Sequence, residues 1–494
     1  MIHPSIGRYV PILNEPDKFF ACLTRPLTTT VWVNELKTQA SKLEQAFSLM
    51  GWGWSEVPWY SGGYRIKVVK PGCSLPFCCG WYAVQESIAW SAVCALDPQP
   101  GDYVLDLCAA PGGKTAQIAL AVGPKGAVIA NEQSLSRLPS LVNTITRLGL
   151  TNVITSQVDG QAFQSTPHLF DRVLVDVPCS GEGTLRKKVG RRSLGQENWH
   201  ERHSQRLRPV QKQLLNRALD LVKPGGIVVY STCTFAPEEN EAILDEVLGD
   251  RGSIEPYSIH DLRSNPGLCQ WQGKTFRSDL QYAQRYWPHL NDTGGFFVAR
   301  IRRTGVKTLR SMAPPPSCSG SEILSSAKKQ SATVQQTDDH TALTWLSGRF
   351  DIPYATFQPY SLWQTGQEKL WIANQSCTVL AASISVPVET IGIPLVRRTS
   401  HSFKPTTASL QRFGQHVQNR FLSLNQEQCQ RFMKGQEQVL KLQNIKEQTS
   451  VNADSFDESL KGFVHVRHGL YELGCGRVKT DVLYPEIPKI LRAN

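Results

Sequence analysis

The stretch "YVLDLCAAPGGKTAQIALAV" (103–122) decides how this chain folds. A strand-like run, YVLDLC, enters a turn of small residues, and KTAQIALAV follows with the pattern of a helix. A strand that feeds a helix through such a turn is the opening unit of a doubly wound α/β sheet. The alternation continues: "AVIANE" precedes the helical "LPSLVNTITRLG", then come "NVITSQVD", "RVLVDV", the helical "QKQLLNRALDLV" and "IVVYST". A last apolar strand, "GGFFVARIRR" (294–303), closes the unit.

Around this core the composition changes. Residues 304–341 are rich in Ser, Pro, Lys and Gln with few large apolar groups, which is the composition of a linker. The expected organisation is an N-terminal α+β cap over 1–85, the α/β domain over 86–303, the linker over 304–341 and a β-rich extension over 342–494. In the cap, "VWVNELKTQASKLEQAFSLMGW" (31–52) reads as a strand and then a helix.

The 494 residues are 40% hydrophobic, and no stretch approaches the roughly 20 apolar residues of a membrane span. The start, "MIHPSIGRYVPILNEP", has no basic segment leading into an apolar core, so no secretion signal and no membrane partner are expected, and a cytoplasmic monomer is. Thirteen cysteines, an odd number spread along a long chain, fit reduced thiols better than a disulfide framework. The cluster "CSLPFCC" (73–79) has no paired C-x-x-C elsewhere, so it reads as a packed loop and no metal is expected. The net charge of +11 points to a polyanionic partner, because cations gain by releasing counterions from phosphates. Basic residues bunch in "RKKVGRR" (186–192), "RIRRTGVKTLR" (300–310) and "VRRTSHSFK" (396–404).

In an open parallel sheet, ligands bind beyond the carboxyl ends of the strands. After the first strand stand Cys108, Ala109, Ala110, Pro111, Gly112, Gly113 and Lys114, small residues opening a helix whose free N–H groups can hold an anion. After the second stands Glu132, after the third Asp159, after the fourth Asp176 with Cys179, and after the fifth Cys233. A nucleoside-triphosphate loop needs glycine where Cys108 stands, which leaves a P-loop-like ATPase as an alternative only. No G-x-G-x-x-G occurs in the first turn, against a dinucleotide. Glu132 lies about 20 residues beyond the glycine turn, where a carboxylate reaches a ribose diol. Asp159 suits an adenine edge. S-adenosyl-L-methionine, with adenine, ribose and an amino-acid end, fits this set.

The two thiols at strand ends need their own reason. Methylating an amine or hydroxyl requires only that the acceptor's lone pair face the methyl group, whereas carbon 5 of a pyrimidine has none to offer. A thiolate adding at carbon 6 makes carbon 5 nucleophilic, dividing one hard step into easier ones. The proton on carbon 5 must then leave before the thiol is expelled, which gives a second reactive group a task.

"DLCAAPGGKT", "DVPCSGEGT" and "VVYSTCTFAPEENE", with "VQESIAW", "LRKK", "NWHERH" and "NDTGGFFVARI", resemble the RNA 5-methylcytosine methyltransferases of the Nop/Sun family over about 80–303. The resemblance implies a class I methyltransferase fold, Rossmann-like, with a mostly parallel seven-stranded sheet. It also implies that Cys233 is the nucleophile, that Cys179 assists product release, and that residues 108–114, Glu132, Asp159 and Asp176 bind the cofactor, with Asp176 also near the target base. A lowered pKa at Cys233 is expected from Arg186 or Lys187. "VWVNELK" (31–37) resembles the family's N-terminal motif, with Trp32 where an arginine is common. The end, "GLYELGCGRVKTDVLYPEIPKILR", looks like a PUA-type RNA-binding module, as in the bacterial small-subunit rRNA enzymes of the family. The implied substrate is RNA, with small-subunit rRNA, free or in a partly assembled particle, ahead of tRNA. A non-catalytic RNA-binding assembly factor is the remaining alternative.

Overall fold

The computed structural model describes residues 4–68, 70–189, 201–305, 334–440 and 460–492. Part of "RKKVGRR" (190–192), the start of "NWHERH" (198–200) and 306–333 of the expected linker lie outside them.

The alternation of the sequence becomes strands β1 (Tyr103–Asp106), β2 (Ala127–Asn131), β3 (Val153–Ser156), β4 (Phe170–Asp176), β5 (Val222–Thr232), β6 (Gln284–Tyr286) and β7 (Phe296–Arg303). Helices α1 (Gly113–Val122), α2 (Leu138–Leu148) and α3 (Glu201–Leu221) connect the first five strands. The spatial order is β3-β2-β1-β4-β5-β7-β6, with β1 to β5 mutually parallel and β7 antiparallel to β5. Strand order thus reverses at β1, with β2 added on one side and β4 on the other, and an α/β sheet opens a crevice at such a switch point. Near-continuous Val, Ile and Leu in β1, β2 and β4 follow from burial on both faces, between two apolar clusters.

The sheet is wider than the seven strands expected. Gly252–Ile254 pairs with β7 and Asn265–Pro266 with β6, and a strand from far downstream, β8 (Val388–Ile391), pairs antiparallel with β3. An unpaired β3 would expose a row of backbone donors and acceptors, and β8 covers them. Trp363, Trp371, Cys377, Leu380 and Ile391 join the same buried cluster as residues of β1, β4 and β5. The chain beyond 334 forms two further five-stranded sheets, one spanning Val334–Gln336 to Phe403–Pro405 and the other Phe421–Ser423 to Val482–Pro485. This second sheet shares a core with the N-terminal four-stranded sheet, where Trp81 and Tyr471 meet at 4.4 Å.

The "VWVNELK" motif does structural work. Asn34 Nδ2 donates to the carbonyls of Gly80 and Leu148 at 2.8 and 2.9 Å, and Lys37 Nζ to those of Arg147 and Cys79 at 2.9 and 3.2 Å. A cation at the C-terminal end of α2 meets the negative end of its dipole. Burial pulls the Lys37 amine down to about 7. Trp32 is buried, its Nε1 donating to Gln85 Oε1 at 2.9 Å. The "CSLPFCC" loop is a packed turn in which Ser74 caps the helix Leu75–Cys78 and burial pushes the Cys78 thiol up to about 11. No group of three or more metal-ligating side chains occurs among the described residues, and no helix among them is long and apolar enough to cross a membrane.

Candidate active site

Register brings the two thiols together. In the β4–β5 pair Asp176 stands opposite Ser231, and Val177 N–H donates to Ser231 O at 3.1 Å. Cys179 lies three residues beyond Asp176 and Cys233 two beyond Ser231, so both leave parallel neighbours at the same edge. Their Sγ atoms are 3.3 Å apart. Gly183 ties the turns directly: its N–H donates to Cys233 O at 2.8 Å and its carbonyl accepts from Gly295 N at 2.9 Å. A Cβ there would meet Gly295 O at 2.2 Å, so only glycine fits. Glu239 Oε2 accepts from Ser180 N at 3.0 Å and from Gln211 Nε2 at 2.9 Å, and Gln211 also holds the Pro178 carbonyl.

The thiols differ in their surroundings. The Cys233 thiol is held below its ordinary value by the hydrogen bond from Cys179, helped by the charges of Lys187 and Lys114 against burial and Asp176. Cys179 is pushed well up by the same bond, by burial and by Glu239 and Asp176. The shared bond thus favours Cys233 as the more acidic thiol, and Lys187 and Lys114 beside it and Glu239 beside Cys179 favour the same sense. Arg186 does not make the contribution expected of it. Arg186 is buried and donates to the carbonyls of Arg25, Pro26 and Thr293 and to Asp292 Oδ1, so its charge is spent in packing. Lys187, paired with Glu86 at 2.5 Å, and Lys114 take the role.

The strand-end carboxylates line the same space. A cavity of about 490 Å³ is bounded by Cys108, Ala110, Glu132, Asp159, Asp176, Pro178, Cys179 and Cys233, within the size range of small-ligand sites. Glu132, buried, accepts from Ala110 N at 3.2 Å and Ser134 N at 2.9 Å. Asp159 accepts from Gln161 N at 3.0 Å. Asp176 Oδ2 accepts from Lys114 at 2.7 Å and Oδ1 from Ser231 Oγ at 2.7 Å. Asn131 joins the turns behind them, donating to Leu107 O and Val158 O and accepting from Ser156 Oγ. The β1–α1 turn passes through Gly112 at φ 101°, where a Cβ would also lie 2.9 Å from Leu141. Gly113 opens α1, and Ala109 and Pro111 line an adjoining cavity of about 490 Å³ with Gln85, Glu86, Arg147 and Lys187, sharing Cys108, Ala110 and Asp176 with the first. Burial and neighbouring carboxylates push the Cys108 thiol well up, so it stays protonated.

Several groups escaped sequence reasoning. Asp106 is fully buried, burial pushes it up to about 7, and its Oδ2 accepts from Thr115 Oγ1 at 2.6 Å while Oδ1 has no partner. Its signal was the lone acid inside an apolar strand. Glu182 lies in "DVPCSGEGT" and Glu239 in "VVYSTCTFAPEENE", where nothing local distinguishes them from surface acids. With Glu132, Asp159 and Asp176 on the first cavity and Asp106 and Asp176 on the adjoining one, the donor set suits a ligand carrying hydroxyls and positive charge, and disfavours a triphosphate.

Residues 93–302 match the family model described as 16S rRNA methyltransferase RsmB/F. The protein named ribosomal RNA small subunit methyltransferase F of Escherichia coli is 32% identical over 370 residues, 72% of this chain and 71% of the relative. Its namesake from Klebsiella pneumoniae is 29% identical over 483 residues, 95% and 92% of the two chains. Among solved structures, a methyltransferase homologue protein from Pyrococcus horikoshii superposes with a TM-score of 0.51 at 29% identity, over 58% of this chain and 90% of its own. NSun6 from Pyrococcus horikoshii, solved with SFG, shares the fold with a TM-score of 0.50 at 21% identity, over 59% and 95%.

Proposed function

Given that the chain belongs to the RsmB/F family of rRNA methyltransferases, we propose that it methylates carbon 5 of a cytosine in small-subunit rRNA through a covalent bond from Cys233 that Cys179 helps to break. The observation that carries this reading is the pair of thiols 3.3 Å apart, polarised in opposite directions, at the wall of a carboxylate-lined cavity. S-adenosylmethionine is the cofactor, and it supplies an electrophilic methyl carbon when bound. Glu132 would hold its ribose, Asp159 its adenine edge, and the turn 108–114 with α1's first N–H groups its carboxylate. Asp106, with one oxygen unpartnered, would face its positively charged groups.

The rest is work for this chain's own side chains. Cys233, as thiolate, adds to carbon 6 of the cytosine, and density moves to carbon 5. Lys114, held above its ordinary value because the Asp176 pair outweighs burial, keeps positive charge beside the thiolate. After methyl transfer the carbon-5 proton passes to water, its bonding pair re-forms the carbon 5–carbon 6 double bond, and the carbon 6–sulfur pair returns to Cys233 as thiolate. Cys179 assists this release. The N-terminal cap (1–85) and the extension beyond 342 are assigned RNA contact, the latter with its PUA-like module, in a cytoplasmic monomer.

Incubating the protein with tritiated S-adenosylmethionine and either rRNA or tRNA, followed by nucleoside analysis, tests the reading. Labelled 5-methylcytidine from rRNA is expected. Label in another nucleoside defeats the carbon-5 assignment, and label in tRNA alone moves the substrate.

A further inference from the structure

Residues 4–26 are remote from the catalytic strands in sequence yet pack behind both thiol turns. Ile6, Tyr9, Leu13, Phe19 and Leu23 form one buried cluster with Phe235 and Trp287, and Leu185 packs on it. Phe235 stands two residues after Cys233, and Leu185 lies on the segment that follows Cys179. The Phe235 ring stacks on Trp287 at 5.0 Å and meets Tyr9 and Phe19 edge-on at 5.8 and 5.6 Å. Such apolar contact is non-directional, so it presses the turns together without setting their spacing.

Hydrogen bonds add the direction. The hydroxyl of fully buried Tyr9 donates to Glu182 Oε2 at 2.6 Å, and Thr234 Oγ1 donates to the same oxygen at 3.1 Å. Ser180 and Thr234 share a further bond of 2.7 Å. Glu182 belongs to the Cys179 turn and Thr234 adjoins Cys233, so one carboxylate oxygen joins three separate segments. Arg8 adds an ion pair to Glu238, on the loop that follows Cys233. The mechanism above uses none of these groups.

We propose that Tyr9 is a positioning residue of the methyl-transfer site: through Glu182 it sets the spacing of Cys179 and Cys233, so that Cys233 is activated only with the N-terminal segment seated. Without the phenol hydroxyl, Glu182 is held by Thr234 alone and the Cys179 turn gains freedom. The S–H to sulfur bond then lengthens, and hydrogen bonds weaken steeply as geometry degrades. The inference rests on Cys233 being the nucleophile, but its effect is readable on the protein without RNA.

The test is peptide-resolved iodoacetamide labelling of the full chain across pH, with exposed Cys73 as internal reference. Tyr9→Phe keeps the ring contacts and loses only the hydroxyl. The labelling midpoint of Cys233 is expected to rise by about one pH unit, and kcat for methyl transfer to fall roughly tenfold with cofactor KM unchanged. The groups facing Cys233, namely Cys179, Asp176, Lys187 and Lys114, are the same in every variant. Glu182→Gln still accepts from both hydroxyls and should keep the parental midpoint, whereas Glu182→Ala should behave like Tyr9→Phe. A parental midpoint in both Tyr9→Phe and Glu182→Ala overturns the proposal. A shifted midpoint in a protein whose parent makes no 5-methylcytidine would sink the proposed function and leave the positioning role standing.

Discussion

The Cys179 turn and the Cys233 turn end neighbouring parallel strands and carry the same side chain, yet the protein gives their thiols opposite surroundings. The bond between the thiols shifts them in opposite directions, Asp176 and burial raise both, Glu239 adds to the rise at Cys179, and Lys187 and Lys114 oppose it at Cys233. A thiol is the same acid in both places, so the difference comes wholly from neighbours. Two thiols 3.3 Å apart are thus set apart by the bond they share and by what faces each, Glu239 on one side and Lys187 with Lys114 on the other.

Replacing each thiol in turn tests that asymmetry most severely. Cys233→Ala should lower methylation by on the order of 10⁴-fold or more, because a group that acts by bond formation has no substitute. It should also give no protein–RNA adduct. Cys179→Ala should still attack and transfer, then accumulate bound to its RNA. A denaturing gel with labelled RNA reads both. A slow band from Cys233→Ala and none from Cys179→Ala would reverse the assignment of the two turns.

Lys114→Ala sharpens the comparison by removing the cation from one side only. It also leaves the Asp176 charge uncompensated, which raises Cys233 further. The acidic limb of the rate against pH should move up by about 1–2 units, with roughly tenfold or greater loss at pH 7. An unmoved limb would mean that Lys187 and the Cys179 hydrogen bond suffice.

Glu132→Ala leaves both turns alone and should weaken S-adenosylmethionine by about 1–3 kcal/mol, the cost of unpaired buried partners. Cys233 labelling should stay parental. Calorimetry showing unchanged affinity would misplace the ribose.

The smallest effect concerns stability. Burial pushes Glu182 up to about 7, while Tyr9, Thr234 and Arg8 oppose it. An acid raised in the folded state binds more protons there than in the unfolded chain, so the parent loses stability as pH climbs from the ordinary carboxylate range to about 7 and then levels off. Glu182→Gln does not titrate, and its stability relative to the parent should grow by roughly 1–2 kcal/mol between pH 5 and 8. Urea midpoints at the two pH values measure this. A difference of the opposite sign would show that Glu182 is ionised in the fold at acid pH.

Sequence reading stops where pairing is long-range. The run "RIRR" (300–303) is one of the basic bunches of the sequence, and Arg300 and Arg302 in it pair with Glu255, a partner nothing local announces. Arg186 sits beside Lys187 in the same basic run, yet one is buried in packing and the other half-exposed near the thiols. Nothing local separates such neighbours, because burial is decided by what arrives from elsewhere in the chain.

By itself the sequence determined the strand–turn–helix alternation from 103 onward, the glycine turn at 112–113, and the placing of Glu132, Asp159, Asp176, Cys179 and Cys233 at strand ends. Those follow from periodicity and turn chemistry, which act over a few residues. Only the tertiary structure decided that Asp176 lies opposite Ser231, that the thiols 54 residues apart touch, that β8 closes the edge beside β3, and that Tyr9 reaches Glu182 across 173 residues. Register and distant pairing are properties of the whole packed chain, since a one-residue slip keeps every local preference and turns each side chain to the other face.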